Sequence, residues 1–502
     1  MPKKILLIRP ENTYNYNNYP PLNLLCIGTG LKAAGFEVKI INCAFEKDPL
    51  RAIGGHLKDT LFAGITMLTP EVPSAYRVMK FIKENSSIPI VAGGWHSTLF
   101  AEQTAESEIV DFVVCGEGEE HILYIAKMLE AKTNIRGKIF SKKFIDLNKL
   151  DLVDYSIDEN IERFIRSYLT DHLSKYVTQP MRWLPYESSR GCPSQCSFCI
   201  NTVTENNHYR SISSEKVILE LEYLSRKYKL THLKFIDDNF FVDMSRSRRI
   251  AEGLLKKGIK LTWDAECRCD YFNERMLNDE TLKLMKESGL IQLTLGVESG
   301  SAHSLRLMKK GIAPDEAEYA IKKCNEHGII ARSSFILEIP GENFNDIKQT
   351  ITFINRMRRF PYFTCGVGTF RPYPRCELTN ELLSKGYLKQ PQTLIQWSDK
   401  DTIDMYTSAE YIRPWQVNGA YSESAAFFLN MQSCARLGNH QINNKIDKLL
   451  NTLFIFIGKL RNRFMFYKFP LDKKLYKLFL TQFYRKKQSM EKCGMYPLAK
   501  IK

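Results

Sequence analysis

The sequence predicts an α/β protein of two successive βα series. A doubly wound parallel sheet comes first, then a partial (β/α)6 barrel of the TIM type, then a basic, mainly helical C-terminal region. Short apolar runs of strand length alternate with amphipathic stretches, which is the pattern of parallel sheets covered on both faces. A stretch without any repeated unit separates the two series. The second series stops after six units where a closed barrel has eight, so that barrel is open on one side. At 502 residues, with 44% hydrophobic and 25% charged residues, the chain has the length and composition of a globular protein of two or three domains.

In the first series, residues 4–8, 38–41, 62–66, 88–92 and 112–114 read as strands, and 22–34, 73–84 and 119–130 as helices. Gly35 stops the first helix as a C-terminal cap. Ligands of such sheets sit beyond the carboxyl ends of the strands. There the chain places Pro70, Gly93-Gly94-Trp95-His96 and Gly116-Glu117-Gly118-Glu119, whose glycines let a large ligand approach the backbone. Glycine turns are also how tight βα connections are ordinarily made. No G-x-G-x-x-G follows the first strand, so a dinucleotide is not expected. In the second series, strands are expected at 185–188, 233–236, 261–264, 291–297, 331–339 and 364–370, with helices at 214–228 and 314–327 among those between them. The expected domains are 1–140, a linker at 141–182, the barrel at 183–390 and the C-terminal region at 391–502.

After the first barrel strand, at the rim where barrels of this type place their catalysis, comes Arg190-Gly191-Cys192-Pro193-Ser194-Gln195-Cys196-Ser197-Phe198-Cys199. C-x-x-x-C-x-x-C puts three thiolates into eight residues, enough to hold a cubane iron–sulfur cluster while leaving its fourth iron open to a substrate or cofactor. A structural zinc site needs a fourth ligand at familiar spacing, and His208, nine residues on, has no paired partner. Buried core cysteines are the remaining reading. The thirteen cysteines form no even framework, which fits a reducing cytoplasm, and the first residues carry too short an apolar run for a signal peptide.

The net charge of +15 is concentrated at one end. Residues 441–502 hold fifteen Lys or Arg against Asp447, Asp472 and Glu491, a net of +12, and the other 440 residues are near neutral. Phe454, Phe456, Phe464, Phe466, Tyr467, Phe469, Phe479, Phe483 and Tyr484 interleave with these cations. A solvated helical lid, a membrane surface and RNA all suit that composition. Nucleic acid is the least expected partner, and peripheral membrane contact accompanies the cytoplasmic expectation.

The cysteine triplet, with Phe198 before its last member, and the six βα units resemble the radical S-adenosylmethionine (SAM) superfamily. Asp237-Asp238-Asn239-Phe240 after the second strand resembles the family segment at the methionine amino group. Gly296-Val297-Glu298-Ser299-Gly300-Ser301 after the fourth resembles its ribose and carboxylate contact region, and Ile339-Pro340-Gly341-Glu342 a turn after the fifth. The resemblance implies that Cys192, Cys196 and Cys199 hold [4Fe–4S], and that Phe198, Asp237, Asp238, Glu298 and Ser299 contact SAM. The first series, through Pro20-Pro21-Leu22-Asn23-Leu24, Gly64-Ile65-Thr66 to Thr69-Pro70, Gly93-Gly94-Trp95-His96 and the run from Asp111 to Glu119, resembles the Rossmann-like cobalamin-binding domain fused to many of these enzymes. It implies cobalamin contacts at Thr66, Thr69, Gly93, Gly94, His96, Gly116, Glu117 and Gly118. No histidine stands in D-x-H-x-x-G, so the resemblance implies cobalt without a histidine below it. Pro372-Tyr373-Pro374-Arg375-Cys376 replaces the family's common Pro-Tyr-Pro-Gly-Thr, which makes Tyr373 and Arg375 candidate substrate contacts.

The implied reaction is methylation of an unactivated carbon by way of a 5′-deoxyadenosyl radical and methylcobalamin, with a small or lipid-like substrate. A reductase, flavodoxin or ferredoxin would donate electrons. A cobalamin-dependent cyclase or ring-rearranging enzyme is the alternative. A transfer-RNA methylthiotransferase would need a second cluster that the scattered Cys26, Cys43 and Cys115 do not suit. A non-catalytic cofactor sensor with a nucleic-acid-binding tail would not cleave SAM.

Overall fold

The computed structural model describes residues 3–12, 19–166, 181–408, 411–441 and 445–480, with the side chains of 434–441 excepted. Phe483, Tyr484 and the last six of the basic residues lie outside the described residues. The chain forms two compact units. One holds residues 1–164, 373–375 and 383–408, the other 165–372, 376–382 and 409–502.

The first unit is a six-stranded, all-parallel sheet of β1 (Lys4–Arg9), β2 (Glu37–Asn42), β3 (Thr60–Thr66), β4 (Ile90–Gly93), β5 (Phe112–Gly116) and β6 (Ile139–Lys143), in the order β2-β1-β3-β4-β5-β6. Ile5 to Ile8 and all seven residues of β3 are buried, as strands covered by helices on both faces must be. Helices α1 (Leu22–Ala33), α2 (Val72–Asn85) and α3 (Glu119–Glu130) occupy the expected stretches. Gly35, at φ +88°, closes the turn after α1. The order reverses between β1 and β3, the switch point where open sheets of this kind bind ligands.

Strand β6 and the turns after it differ from the linker expected at 141–182. β6 is a half-exposed edge strand ending in Lys142-Lys143, charges that discourage pairing with another chain. After it Leu147, Tyr155, Ile161 and Phe164 are buried in the same unit, and the Asp154 backbone N–H donates to Thr29 Oγ1 of α1 at 2.9 Å. A linker reading rests on missing periodicity, which short turns that pack on a sheet also lack. Residues 167–180 lie outside the described residues.

The second unit has six parallel strands in sequential order: β7 (Trp183–Tyr186), β8 (His232–Phe235), β9 (Thr262–Cys267), β10 (Leu290–Glu298), β11 (Ile330–Leu337) and β12 (Phe363–Thr369). β7 and β12 are not paired, so the barrel is open. Among its helices are α4 (Ser214–Tyr228), α5 (Met244–Lys256), α6 (Asp279–Glu287), α7 (Pro314–Glu326) and α8 (Phe344–Met357), followed by α9 (Gly419–Gln441) and α10 (Lys445–Phe464). The free edge of β12 is covered by α9. Asn430 Oδ1 accepts from the Val367 N–H at 2.8 Å, Asn430 Nδ2 donates to the Val367 carbonyl at 2.7 Å, and Ser433 Oγ accepts from the Cys365 N–H at 3.3 Å. One asparagine thus supplies the pair of hydrogen bonds a neighbouring strand would have made.

Candidate active site

The cysteine loop leaves the carboxyl end of β7 and is tied down before it reaches the first thiol. Asp237, fully buried after β8, accepts from the Ser188 N–H (2.7 Å), Ser188 Oγ (2.5 Å) and Ser189 Oγ (2.6 Å). Asp238 accepts from the Gly191 N–H at 2.9 Å. Arg246, on α5 and also buried, donates to the Ser188 and Ile212 carbonyls. Gly191 has φ +85°, and a Cβ there would lie 2.2 Å from the His208 carbonyl oxygen, so no other residue fits this entry to the loop. Farther on, the Ser197 N–H and Oγ donate to the carbonyls of Met308 and Leu307, and the Leu378 N–H donates to the Ser197 carbonyl.

Two donors face the sulfurs. Asn239 Nδ2 lies 3.6 Å from Cys192 Sγ and also donates to Tyr271 Oη at 2.9 Å. Arg268 Nη1 lies 3.9 Å from Cys196 Sγ; its guanidinium is fixed by Asp270 at 2.9 Å and by the Lys310 carbonyl at 2.9 Å. Burial pushes the free Cys199 thiol up to about 11, so binding a metal there releases a proton. Among the described residues no three His, Cys, Asp or Glu side chains converge to hold one metal ion. A cubane gives each cysteine its own iron, so three thiols on one anchored loop suit it.

At the carboxyl end of β10, Glu298 has φ +64° and accepts from Lys310 Nζ at 3.0 Å. Lys310 is buried, and its ammonium lies 5.9 Å from the centre of the Phe198 ring. A Cβ at Gly296 would sit 2.7 Å from Lys310 Nζ, so glycine is what admits the lysine. Ser299 is turned to α8, its Oγ 2.7 Å from Thr350 Oγ1. Of the five residues expected to contact SAM, Asp237 and Ser299 therefore have side chains occupied by buried hydrogen bonds that shape the loop and the β10 turn. Asp238 and Glu298 stand at the rim, each with one close partner. Asn239, Arg268 and Lys310 were not singled out from the sequence. Asn239 lies inside the quoted Asp237-Asp238-Asn239-Phe240 segment and Arg268 directly after β9, so strand-end position was the available signal.

The barrel interior is polar below this rim. Lys234 Nζ contacts Asp264 Oδ1 at 2.7 Å, and His232 Nε2 contacts Asp264 Oδ2 at 2.9 Å. Burial alone would raise the Asp264 carboxyl; Lys234 and then His232 outweigh it and hold the group well below the usual carboxylate range.

In the first unit the expected cobalamin contacts line the carboxyl ends of β3, β4 and β5. Thr66 Oγ1 accepts from Asn23 Nδ2 at 2.7 Å. Gly94 has φ +88°, and a Cβ there would lie 2.8 Å from Met67 backbone atoms and from Thr66 Oγ1. The Gly116 N–H donates to Thr98 Oγ1 (2.9 Å), Glu117 Oε2 accepts from the Ile145 N–H (2.7 Å), and a Cβ on Gly118 would meet Ile27 at 3.3 Å. Gly93 is half-buried with no close neighbour for a Cβ, and Trp95 is exposed beside it. This cradle fits a large group bound through backbone contacts.

His96 is fully buried. Its Nδ1 lies 3.3 Å from Thr69 Oγ1, and its ring packs on Phe100 and Trp397 at 5.1 and 5.2 Å. Burial pushes its pKa down to about 3, so it is neutral. Trp397 belongs to the segment 383–408, which is part of this unit and not of the C-terminal region expected from residue 391. Arg375 lies over the Phe100 ring at 5.0 Å, and Tyr373 is exposed.

Comparison with known proteins gives two domain matches. Residues 186–354 match the radical SAM superfamily, and residues 14–132 match the B12 binding domain. An uncharacterized methyltransferase of Pyrococcus horikoshii is 28% identical over 426 residues, 83% of this chain and 90% of the relative. An anaerobic magnesium-protoporphyrin IX monomethyl ester cyclase of Rubrivivax gelatinosus is 24% identical, over 73% of this chain and 67% of the relative. The solved structure of the cobalamin-dependent S-adenosylmethionine radical enzyme OxsB, with aqua-cobalamin and S-adenosylmethionine bound, superposes with a TM-score of 0.67 at 17% identity, covering 97% of this chain and 75% of that one.

Proposed function

We propose that this chain, which belongs to the radical SAM superfamily and carries a B12-binding domain, is a cobalamin-dependent methyltransferase acting on an unactivated carbon. One observation carries the reading: three thiols on a loop locked to the carboxyl end of the first barrel strand, with Asn239 and Arg268 facing their sulfurs. When bound, a [4Fe–4S] cluster with SAM supplies a 5′-deoxyadenosyl radical, and cobalamin supplies the methyl group.

The chain's own residues position and shield these groups. Cys192, Cys196 and Cys199 give three thiolates, and Arg268 and Asn239 offset the charge on two of them. Asp238 and Glu298 offer carboxylate oxygens at the rim, with Lys310 fixing Glu298. Phe198 presents ring surface beside Lys310. Thr66, Thr69, Gly93, Gly94, Gly116, Glu117 and Gly118 would hold the corrin through backbone and short side chains, and the buried His96 would shape that wall and leave the metal alone. Electrons come from a reductase or a small redox protein.

Cys196→Ala, reconstituted anaerobically with iron and sulfide, is expected to lose 5′-deoxyadenosine formation at least a hundredfold, while wild-type product gains one CH₂ in mass. Undiminished 5′-deoxyadenosine sinks the cluster assignment. A product without added mass favours the cyclase reading, which the likeness to the R. gelatinosus enzyme supports.

The reading extends to location. On α10, Ile446, Leu449, Leu450, Leu453, Phe456, Leu460 and Phe464 recur at the spacing of one helical face and are all exposed, whereas Asn451, Gly458 and Asn462 face the protein. The helix turns its apolar stripe outward. Lys445, Lys448, Lys459 and Arg463 are exposed on the same helix and make no ion pair among the described residues. No helix among the described residues is long and apolar enough to cross a membrane. An apolar stripe with flanking cations instead suits the surface of an anionic bilayer, where each cation adds ~1 kcal/mol. Wild type is expected to float with anionic vesicles and Leu453→Asp/Phe456→Asp to stay below. Equal flotation removes the membrane contact, and loss of a solution dimer in the variant assigns the stripe to a second copy.

A further inference from the structure

Strand alternation sorts the side chains of β9 to β12 into two faces. On β11, Ala331, Ser333 and Phe335 are buried, with the Phe335 ring 6.0 Å from Phe353 of α8, so that face meets the helices. The alternate residues Arg332, Ser334 and Ile336 are half-buried and face the barrel interior. The register places Arg332 in one row with Glu266, Thr294 and Thr364, directly below a row of Gly296, Ser334 and Gly366.

This row is built unlike the one beneath it, where Lys234 and Asp264 satisfy each other. Arg332 makes no hydrogen bond or ion pair among the described residues. Thr364, beside it, is only 7% exposed and its hydroxyl has no partner. On the same face of β12, Gly366 and Gly368 are exposed, and a Cβ on either would meet nothing within 4 Å. The barrel therefore holds open space against β12, with the Arg332 guanidinium at its base, joined to no hydrogen-bond partner among the described residues and attracted across the sheet by Glu266. Glu266, two strands away and so about 10 Å across the sheet, keeps 38% of its side chain exposed and has Lys234 Nζ at 3.8 Å.

We propose that Arg332, with the Thr364 hydroxyl and the slot over Gly366 and Gly368, is the substrate's anion subsite: it takes a carboxylate or phosphate, and Glu266 accepts from an ammonium or other donor on the same molecule. An arginine has five donors in a planar fork that matches such oxygens in pairs, and removed from water it does so more strongly than at a surface. Arg332 lies three residues before Phe335, the register position opposite Glu298, about 10 Å along the strand and so below the rim group that Glu298 faces. Glycines at 366 and 368 keep the slot open where any side chain would fill it. The substrate class is thus a polar molecule bearing an anionic oxygen group, not a bare hydrocarbon or a neutral ring system. This rests on the barrel being the catalytic chamber.

The test uses the full-length reconstituted enzyme and two probes, inorganic phosphate and acetate, in ligand-observed NMR titrations. One probe is expected to bind, and which one binds distinguishes phosphate from carboxylate. Arg332→Gln is expected to weaken that binding at least tenfold, Arg332→Lys to retain most of it, and Gly366→Val, which fills the slot without changing charge, to weaken it as well. An unchanged dissociation constant in both Arg332→Gln and Gly366→Val overturns the proposal, as does binding of neither probe to wild type. SAM affinity is measured in parallel by equilibrium dialysis. If Arg332→Gln loses SAM as it loses the anion, the arginine serves the cofactor and the substrate assignment falls. A wild type that binds the anion but forms no 5′-deoxyadenosine would overturn the radical reading and leave the anion site standing.

Discussion

His96 shows how burial alone sets the chemistry of a residue. Its ring has an ordinary pKa of 6.5, lowered to about 3 by complete burial among Phe100 and Trp397. Because the folded value is depressed, the unfolded chain binds the extra proton below pH 6.5. The contribution to stability is therefore complete above that pH and declines by up to ~1.4 kcal/mol per unit as the pH falls toward 3. His96→Gln can still meet Thr69 and carries no titrating group. Its unfolding free energy, measured by urea denaturation between pH 7 and 4, is expected to fall less steeply than that of wild type; parallel curves would refute this. From the sequence His96 is one residue of a glycine-flanked rim segment. Nothing local announces that its ring is covered by a tryptophan three hundred positions later.

Among the elements, the strands were largely legible: the six barrel strands fall within two residues of their expected starts, because short β-rich runs set between amphipathic helical stretches are a local signal. The edge of β12 was not legible, since Asn430 lies on a helix whose pattern says nothing of a strand. Asn430→Ala removes both hydrogen bonds to Val367 and leaves a buried N–H and carbonyl without partners, at a cost of about 2–4 kcal/mol. A lowered melting temperature and faster amide exchange at Val367 are the expected outcomes; unchanged exchange would mean that water takes the asparagine's place. The reversed face of α10 was likewise hidden. Its apolar spacing alone predicts burial of the stripe, and the structure turns the stripe outward because Gly458 and Asn462 permit close approach to α9. A Cβ at Gly458 would reach Met431 at 2.1 Å, and Asn462 Nδ2 donates to the Phe428 carbonyl at 3.0 Å.

At the scale of the molecule, the chain does not divide where its motifs do. After β12 it returns 383–408 to the first unit, where Trp397 is fully buried between His96, Phe100 and Tyr406 and donates from Nε1 to Gln103 at 3.2 Å. Trp397→Ala is expected to destabilise that unit by ~3–5 kcal/mol and weaken its hold on cobalamin. Retention of added hydroxocobalamin through gel filtration checks this, and wild-type retention would show that the segment is dispensable for the cradle.

By itself the sequence determined the three-thiol loop, the alternation of strand and helix, and the glycines of the rims, because each depends on residues within about ten positions of one another. The tertiary structure decided which side chains face the sulfurs, what covers His96, and which interior row keeps a cation without a hydrogen-bond partner. Those partners are separated by tens to hundreds of residues, and such distances along the chain are closed by packing of whole elements, for which no local spacing is a guide.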